Sequence, residues 1–428
     1  MRKEPMYWSR VENAAKIFPS LTNRADTKVF RFSCELMEEV DQAVLQTALE
    51  RTLEAFPFYL SSLRQGFFWY FFEASSKKPI VHPEVQPPCS ELYHPDHHGL
   101  LFSVTWYRAR INLEVYHSLT DGTGALEFLR ILVFHYLEEK YPEVKKLKMQ
   151  MPYDAPLGER LSDSFARNYA GKDRNMLPKK GLSAAYHIKG KKLPLHQLHI
   201  IEGTMSATQV LEKAHEYHTT ISVFLCSILL LSIHDLMPKR LEKQPIRLSI
   251  PVNLRNYYPS ESARNFFSVV TIGYDFSKQS HGFSAVLEAV RKGFEEELRE
   301  EHIESKFNQQ CALEHNPLMR VLPLMIKNIS IKVANRCTER AVTAAFSNVG
   351  RLRMPQELVP YIRQFHIFTS TKRLQVCLCT FEDKLSINFS APFLEKGIQR
   401  QFFRRLTNLG IAVEITANNR KEYGHADL

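Results

Sequence analysis

The run Tyr116-His117-Ser118-Leu119-Thr120-Asp121-Gly122 sets a histidine and an aspartate four residues apart at the point where the hydrophobic pattern changes period. Upstream, residues 100–107 and 110–116 alternate aromatic and β-branched side chains with polar ones, so His117 falls at a strand end. Downstream, from Gly124, the residues Leu126, Leu129, Leu132, Val133, Tyr136 and Leu137 recur at helical spacing and predict a helix to about Glu139, ahead of Tyr141-Pro142. Asp121 then abuts the helix N-terminus, where unpaired backbone N–H groups favour a carboxylate.

Two readings of this run are open. A histidine held by a sheet, with a near-neutral pKa, suits a general base, and an aspartate one turn on suits holding the local backbone by pairing with a cation elsewhere. Alternatively Asp121-Gly122 is a hairpin turn and His117 an ordinary strand residue. The helix after Gly124 argues against the hairpin without establishing catalysis.

His117, Asp121 and Gly122 match the HxxxDG motif of the CoA-dependent acyltransferase superfamily, which includes chloramphenicol acetyltransferase, the plant BAHD enzymes, bacterial alcohol acetyltransferases and peptide-synthetase condensation domains. Further segments resemble that superfamily in order along nearly the whole chain. Ile246 to Arg255, IRLSIPVNLR, with Arg264-Asn265-Phe266-Phe267, is similar to its strand, arginine and GNF-like segment. Phe346-Ser347-Asn348-Val349-Gly350 resembles the SNxG segment, and residues 384–393 with the helix after them resemble the closing elements. Two departures matter. Tyr116 stands where condensation domains and chloramphenicol acetyltransferase carry another histidine, and SNVG stands where plant enzymes carry DFGWG. The resemblance is therefore closest to the bacterial alcohol acetyltransferase branch.

The resemblance implies an α+β fold of two chloramphenicol-acetyltransferase-like domains, each a mixed sheet covered by helices, with a channel between them. It also implies that later segments cross to complete the first sheet. Under it, His117 is the general base, Gly122 is carried with the motif, and Asp121 pairs with Arg255 to support the catalytic loop. Ser347 and Asn348 line the channel near the thioester as oxyanion or substrate contacts. Without it, Arg255 reads as a surface arginine after a strand, and Ser347 and Asn348 as turn residues before Gly350. The implied co-substrate is a coenzyme A thioester, acetyl-CoA or another acyl-CoA, without a metal. The implied acceptor is a small or lipid-like alcohol, or an amine.

Composition bounds the remainder. The chain has 428 residues, 44% hydrophobic and 24% charged, which suits two domains of ordinary size. Its start, MRKEPMYWSRVENAAKIFPS, has no apolar run, so no signal peptide is expected. The longest apolar stretch, residues 221–233, is too short to span a bilayer and predicts a buried helix. Seven cysteines without a CxxC fit a reducing cytoplasm, with Cys377 and Cys379 as small core residues on one strand face. His94, His97 and His98 fall in a proline-containing loop and read as a solvated turn.

Lysine and arginine total 56 against 46 aspartates and glutamates, giving +10. That balance concerns partners. Nucleic acid is not expected, because no zinc finger, helix-turn-helix or aromatic RNA-binding motif accompanies the charge. The phosphates of coenzyme A fit it, and so does peripheral contact with an anionic membrane. The densest basic segment, residues 171–192, divides the chain into an N-terminal domain over 1–170, a linker over 171–194 and a C-terminal domain over 195–428, and the protein is expected to be a cytoplasmic monomer. The competing readings are a lipid or glycolipid O-acyltransferase at a membrane surface, a non-catalytic acyl-CoA- or lipid-binding protein, and a synthetase-type condensation module.

Overall fold

A computed structural model describes residues 8–12, 14–147, 157–160, 162–169, 171, 182–315 and 321–418. The fold is α+β, built on two mixed sheets with covering helices. The first sheet has the strand order Ile362–Thr369, Val29–Leu36, Arg110–Tyr116, Phe102–Tyr107 and His82–Pro83. Only the last pair is parallel. Val29–Leu36 and Arg110–Tyr116 are buried almost throughout, because helices Gln42–Ala55 and Gly122–Lys140 cover one face and the rest of the molecule covers the other. Such double covering buries the polar positions of these alternating strands as well, Arg31, Ser33, Asn112 and Glu114 among them.

The second sheet has seven strands, in the order Phe267–Tyr274, Ile246–Asn253, Ala344–Leu352, Leu374–Phe381, Lys384–Ala391, His199–Ser206 and Glu414–Ala417. Ala344–Leu352 runs parallel to both of its neighbours. Helix Ile221–His234, the longest apolar stretch of the sequence, is buried from Val223 to Ile233 in this half's core. A third, small sheet joins Trp8–Arg10, Tyr70–Ala74 and Ser61–Gln65.

The strand Ile362–Thr369 comes from the later half of the chain, yet it pairs with Val29–Leu36 in the first sheet, with Ile367 opposite Phe32. This is the crossing that the resemblance implies. It seats Thr369 beside the end of the strand that leads to His117, where the Thr369 hydroxyl donates to the Val29 carbonyl at 3.2 Å.

Several element boundaries differ from expectation. The sequence after residue 393 predicts a helix over about 395–414, but it stops at Asn408 in Gly397–Asn408, and Glu414–Ala417 returns as an edge strand on His199–Ser206. Gly410 takes the left-handed turn between them at φ +85°. The charged, amphipathic stretch 284–301 predicts one helix, and the structure has Phe283–Glu297 followed by a separate helix, Glu300–His315. The apolar stretch 318–333 also predicts a helix, which is Leu324–Arg340, entered from Pro323, while 318–320 lie outside the described residues. Residues 344–352, read from the sequence as a turn at Ser347-Asn348, form a strand with a bulge between Asn348 and Arg351, and Gly350 supplies the φ of +87° there.

Of the basic linker, Lys172, Arg174, Lys179 and Lys180 lie outside the described residues. Its later part is docked through its backbone. Ala185 donates to the Arg340 carbonyl at 2.8 Å and Leu193 to that of Pro392 at 2.8 Å, while Lys189, Lys191 and Lys192 stay exposed. Among the described residues no single helix is long and apolar enough to cross a membrane.

Candidate active site

His117 extends the pairing of Arg110–Tyr116 by one residue. Its N–H donates to the Lys28 carbonyl at 2.9 Å, just beyond the Val29–Tyr116 pair. The chain then turns sharply, and three side-chain bonds fix the turn to other segments. Asn265 Nδ2 donates to the His117 carbonyl at 2.9 Å, Ser118 Oγ to the Ala15 carbonyl at 3.1 Å, and Thr120 Oγ1 to the Ala263 carbonyl at 2.5 Å.

Asp121 occupies both of its oxygens. Oδ1 accepts from the Gly124 N–H at 3.1 Å and caps helix Gly122–Lys140. Oδ2 accepts from Arg255 Nη1 at 2.8 Å and from the Phe266 N–H at 2.8 Å. The Arg255 fork is spent within the same knot: Nε and Nη2 donate to the Ser262 carbonyl at 3.2 and 2.8 Å, and Nη2 also donates to that of Arg264 at 2.6 Å. Both side chains are almost buried. A carboxylate so fully engaged is an anchor between the two halves of the chain, not a proton relay.

The imidazole of His117 lies in an aromatic slot. Phe18 stacks on it at 4.4 Å between centroids with 12° between planes, and Phe30 and Phe267 lie at 4.8 and 5.8 Å. Nδ1 is sealed from solvent and has no hydrogen-bond partner among the described residues, which leaves Nε2 to meet a ligand. Burial disfavours the charged ring and pulls its pKa from 6.5 down to about 4. The Asp121 carboxylate opposes that shift, as do the residue's own carbonyl and Asn265, while Lys28 adds to it. His117 is therefore neutral at pH 7.

A cavity of about 190 Å³ opens at His117 and is lined by Gly122 and by residues of the second sheet, among them Asn253, Ser347, Asn348, Gln375 and Cys377, with Phe30, Ile367 and Thr369 from the first. The six residues singled out from the sequence thus converge, with Arg255 behind the cavity wall instead of in it. Their geometry differs from one to the next. The Ser347 hydroxyl has no hydrogen-bond partner among the described residues, whereas Asn348 donates to Ser222 Oγ at 3.0 Å and accepts from the Gly350 N–H at 2.9 Å. Asn348 is committed to the bulge.

Reading the sequence missed other parts. Gly124 is the tighter glycine of the Gly122-Thr123-Gly124 run: a Cβ on it would collide with the Ala263 carbonyl and the Thr120 hydroxyl, whereas one on Gly122 would meet only Phe32 Cζ, at 4.0 Å. Phe18 could not be assigned to the site, because nothing in its local sequence ties it to a residue 99 positions later. Cys377 was read as core, and it is buried, yet it also lines the cavity.

A larger cavity of about 770 Å³ opens at the other end of the same strands, around Arg110, Glu35, Glu202 and Gln364. Its charges satisfy one another: Arg110 bonds Glu202 at 3.1 Å and Glu35 at 3.2 Å, and the buried His366 lies 3.3 Å from Glu202. His234, Glu242 and His281 form a metal-compatible grouping, to which none of the six residues belongs.

Comparison with solved structures places this architecture. A trichothecene 15-O-acetyltransferase from Fusarium sporotrichioides matches with a TM-score of 0.61 at 11% identity, covering 94% of each chain. The starter condensation domain of rhizomide synthetase matches with a TM-score of 0.53 at 10% identity, over 95% of this chain and 96% of that one. The chain has the fold of the CoA-dependent acyltransferases and condensation domains. A F. sporotrichioides protein of this fold, solved with coenzyme A and T-2, matches with a TM-score of 0.60 at 10% identity, over 96% and 99%. No protein-family model and no curated protein sequence matches the chain. In this acyltransferase-like fold the position before His117 holds Tyr116, fully buried, stacked on Tyr93 at 5.0 Å and bonded to Thr22 Oγ1 at 2.8 Å. Tyr116 belongs to the core, not to the cavity.

Proposed function

We propose that the protein transfers an acetyl or short acyl group from an acyl-CoA to an alcohol or amine, with His117 as general base. The observation that carries this reading is the state of His117: neutral at pH 7, sealed at Nδ1, and lining a cavity between the two sheets. Nε2 takes the proton from the acceptor hydroxyl as its oxygen bonds to the thioester carbonyl carbon. As the tetrahedral intermediate collapses, the carbon–sulfur bond breaks and the departing thiolate takes the proton back from His117. Ser347 is the hydroxyl placed to donate to the oxyanion, and no acyl-enzyme is needed. Because Asp121 is saturated by Arg255, Phe266 and Gly124, its part is to position the His117 loop.

Fit to the co-substrate comes from the turn after the crossing strand. Thr369 and Gln375 line the His117 cavity, while Lys372, Arg373 and Leu374 between them line a separate cavity of about 490 Å³ that also receives Lys189 and Lys192. Glu339 shares this cavity and pairs with Lys372 at 2.8 Å, and Arg373 donates to the Val342 and Glu339 carbonyls, so the exposed Lys189 and Lys192 are the cations that suit the pyrophosphate and 3′-phosphate of coenzyme A. Within the acyltransferase reading, Tyr116 supports the alcohol acetyltransferase branch over a carrier-protein condensation role. The test is free-thiol release from acetyl-CoA across a panel of alcohols, amines and lipid acceptors. Acceptor-dependent release that is lost in His117→Ala is expected. Release that persists in the variant would remove His117 from the reaction.

A further inference from the structure

Among the described residues, exposed large apolar side chains concentrate on one face of the molecule. Phe67, Phe68 and Trp69 form the tip between strands Ser61–Gln65 and Tyr70–Ala74, and Phe67 is 72% exposed. Against this tip lies the N-terminal end of helix Leu324–Arg340, on which Met325, Ile329 and Val333 recur every four residues at 72%, 62% and 54% exposure. Soluble surfaces rarely keep so much apolar area together without using it.

The face is rigid. The Leu324 N–H donates to the Phe67 carbonyl at 2.9 Å. Lys327, itself buried, donates to the Phe68 carbonyl at 3.0 Å and sets its ammonium 3.5 Å from the Trp69 ring centroid. These contacts fasten the aromatic tip to the first turn of the helix.

Its charge pattern selects the occupant. Lys332, Arg336 and Arg340 also recur every four residues, all exposed, and each lies three positions after a member of the apolar row or one turn beyond it. The helix therefore presents apolar side chains beside the aromatic tip and guanidinium and ammonium groups farther along the same face. Aromatic residues with a basic amphipathic helix are what an anionic membrane interface binds. We propose that this face docks the protein on an anionic lipid bilayer.

Docking would bring the bilayer close to the candidate site. Helix Leu324–Arg340 packs on the short helix Ile17–Leu21, where Ser20 Oγ donates to Asn328 Oδ1 at 2.7 Å, and Phe18 of that short helix is the ring stacked on His117. A bilayer-borne alcohol as acceptor follows from this position and rests on the acyl-transfer reading. Docking itself does not, so the two are tested apart.

The experiment is co-sedimentation of the full chain with phosphatidylcholine–phosphatidylglycerol vesicles, with pure phosphatidylcholine vesicles and high salt as comparisons. The chain is expected to pellet with the mixed vesicles and to be released by salt. The triple variant Met325→Ser/Ile329→Ser/Val333→Ser and the pair Lys332→Glu/Arg336→Glu should each weaken partitioning roughly tenfold or more. Leu211→Ser, at an exposed apolar position on helix Ala207–Glu216 outside this face, should bind as the parent does. Three outcomes would overturn the proposal: no binding to the mixed vesicles, undiminished binding by both variants, or a dimer in solution that the triple variant splits while vesicles stay unbound. The last would make this face a contact between two copies. Thiol release with short soluble alcohols, measured alongside, reports on the reaction independently of docking.

Discussion

Phe18 lies face to face with His117, 4.4 Å between centroids, so that one wall of the imidazole slot is an aromatic ring from a helix 99 residues earlier in the chain. Water is excluded from that face, and burial is the largest cause of the depressed His117 pKa. If His117 is the base, the acid limb of kcat/KM should lie near pH 4 and the rate should be level through neutrality. Phe18→Ala should move that limb up toward 6.5. A pH–rate profile of both proteins measures it, and identical limbs would separate the stacking from the titration.

The same shift bears on stability. His117 and His135 both have folded pKa values of about 4 against 6.5, so as pH falls below 6.5 the unfolded chain takes up protons that the native state refuses. Native stability is therefore lost progressively between pH 6.5 and 4 on account of these two groups. Denaturant midpoints across that range should fall in the parent protein, and should fall less in His135→Gln.

His117→Ala should lower turnover by roughly two to four orders of magnitude, the size expected for losing a general base. Binding of coenzyme A, measured by calorimetry, should persist. Loss of both together would point to a damaged cavity instead of a missing base.

Removing one partner of the Asp121–Arg255 pair strands a nearly buried charge, which costs about 3–5 kcal/mol. Asp121→Asn and Arg255→Ala should each lower the melting temperature and the activity together, and the double variant should fall short of their sum. Arg255→Lys should not restore the parent, because a lysine cannot reach Asp121 and the carbonyls of Ser262 and Arg264 at once. Full additivity in thermal denaturation would contradict the contact.

The two glycines of the motif region should behave oppositely. Gly124→Ala must displace the Ala263 backbone or the Thr120 hydroxyl and should destabilise by about 1–3 kcal/mol. Gly122→Ala meets only ordinary contact with Phe32 and should fold normally. Chemical denaturation of the pair distinguishes them.

These contrasts show what the sequence could and could not reveal. Arg110–Tyr116 was readable to the residue, because alternation and a change of period bracket it on both sides. The Asp121–Arg255 contact was accessible only through the resemblance, since nothing local to Arg255 names a partner 134 positions away. Gly350 misled for a physical reason. A left-handed glycine marks a turn and a strand bulge alike, and only the flanking parallel pairing of Phe346 with Val376 and of Leu352 with Phe381 decides between them. Phe18 and Cys377 entered the site through packing between distant segments, which leaves no periodic trace in either stretch.

The crossing strand Ile362–Thr369 also governs how the chain can be made. Until residue 369 has left the ribosome, the Val29–Leu36 edge of the first sheet has no partner on that side, although everything else in the sheet has long been synthesised. At about 5–20 residues per second, the roughly 250 residues between Arg110–Tyr116 and the crossing strand take some 12–50 s to appear. For that interval the nascent first sheet presents an apolar, hydrogen-bond-hungry edge, a natural client for chaperones bound near the exit tunnel. Proteolysis of stalled nascent chains should show the N-terminal half becoming resistant only after that strand emerges.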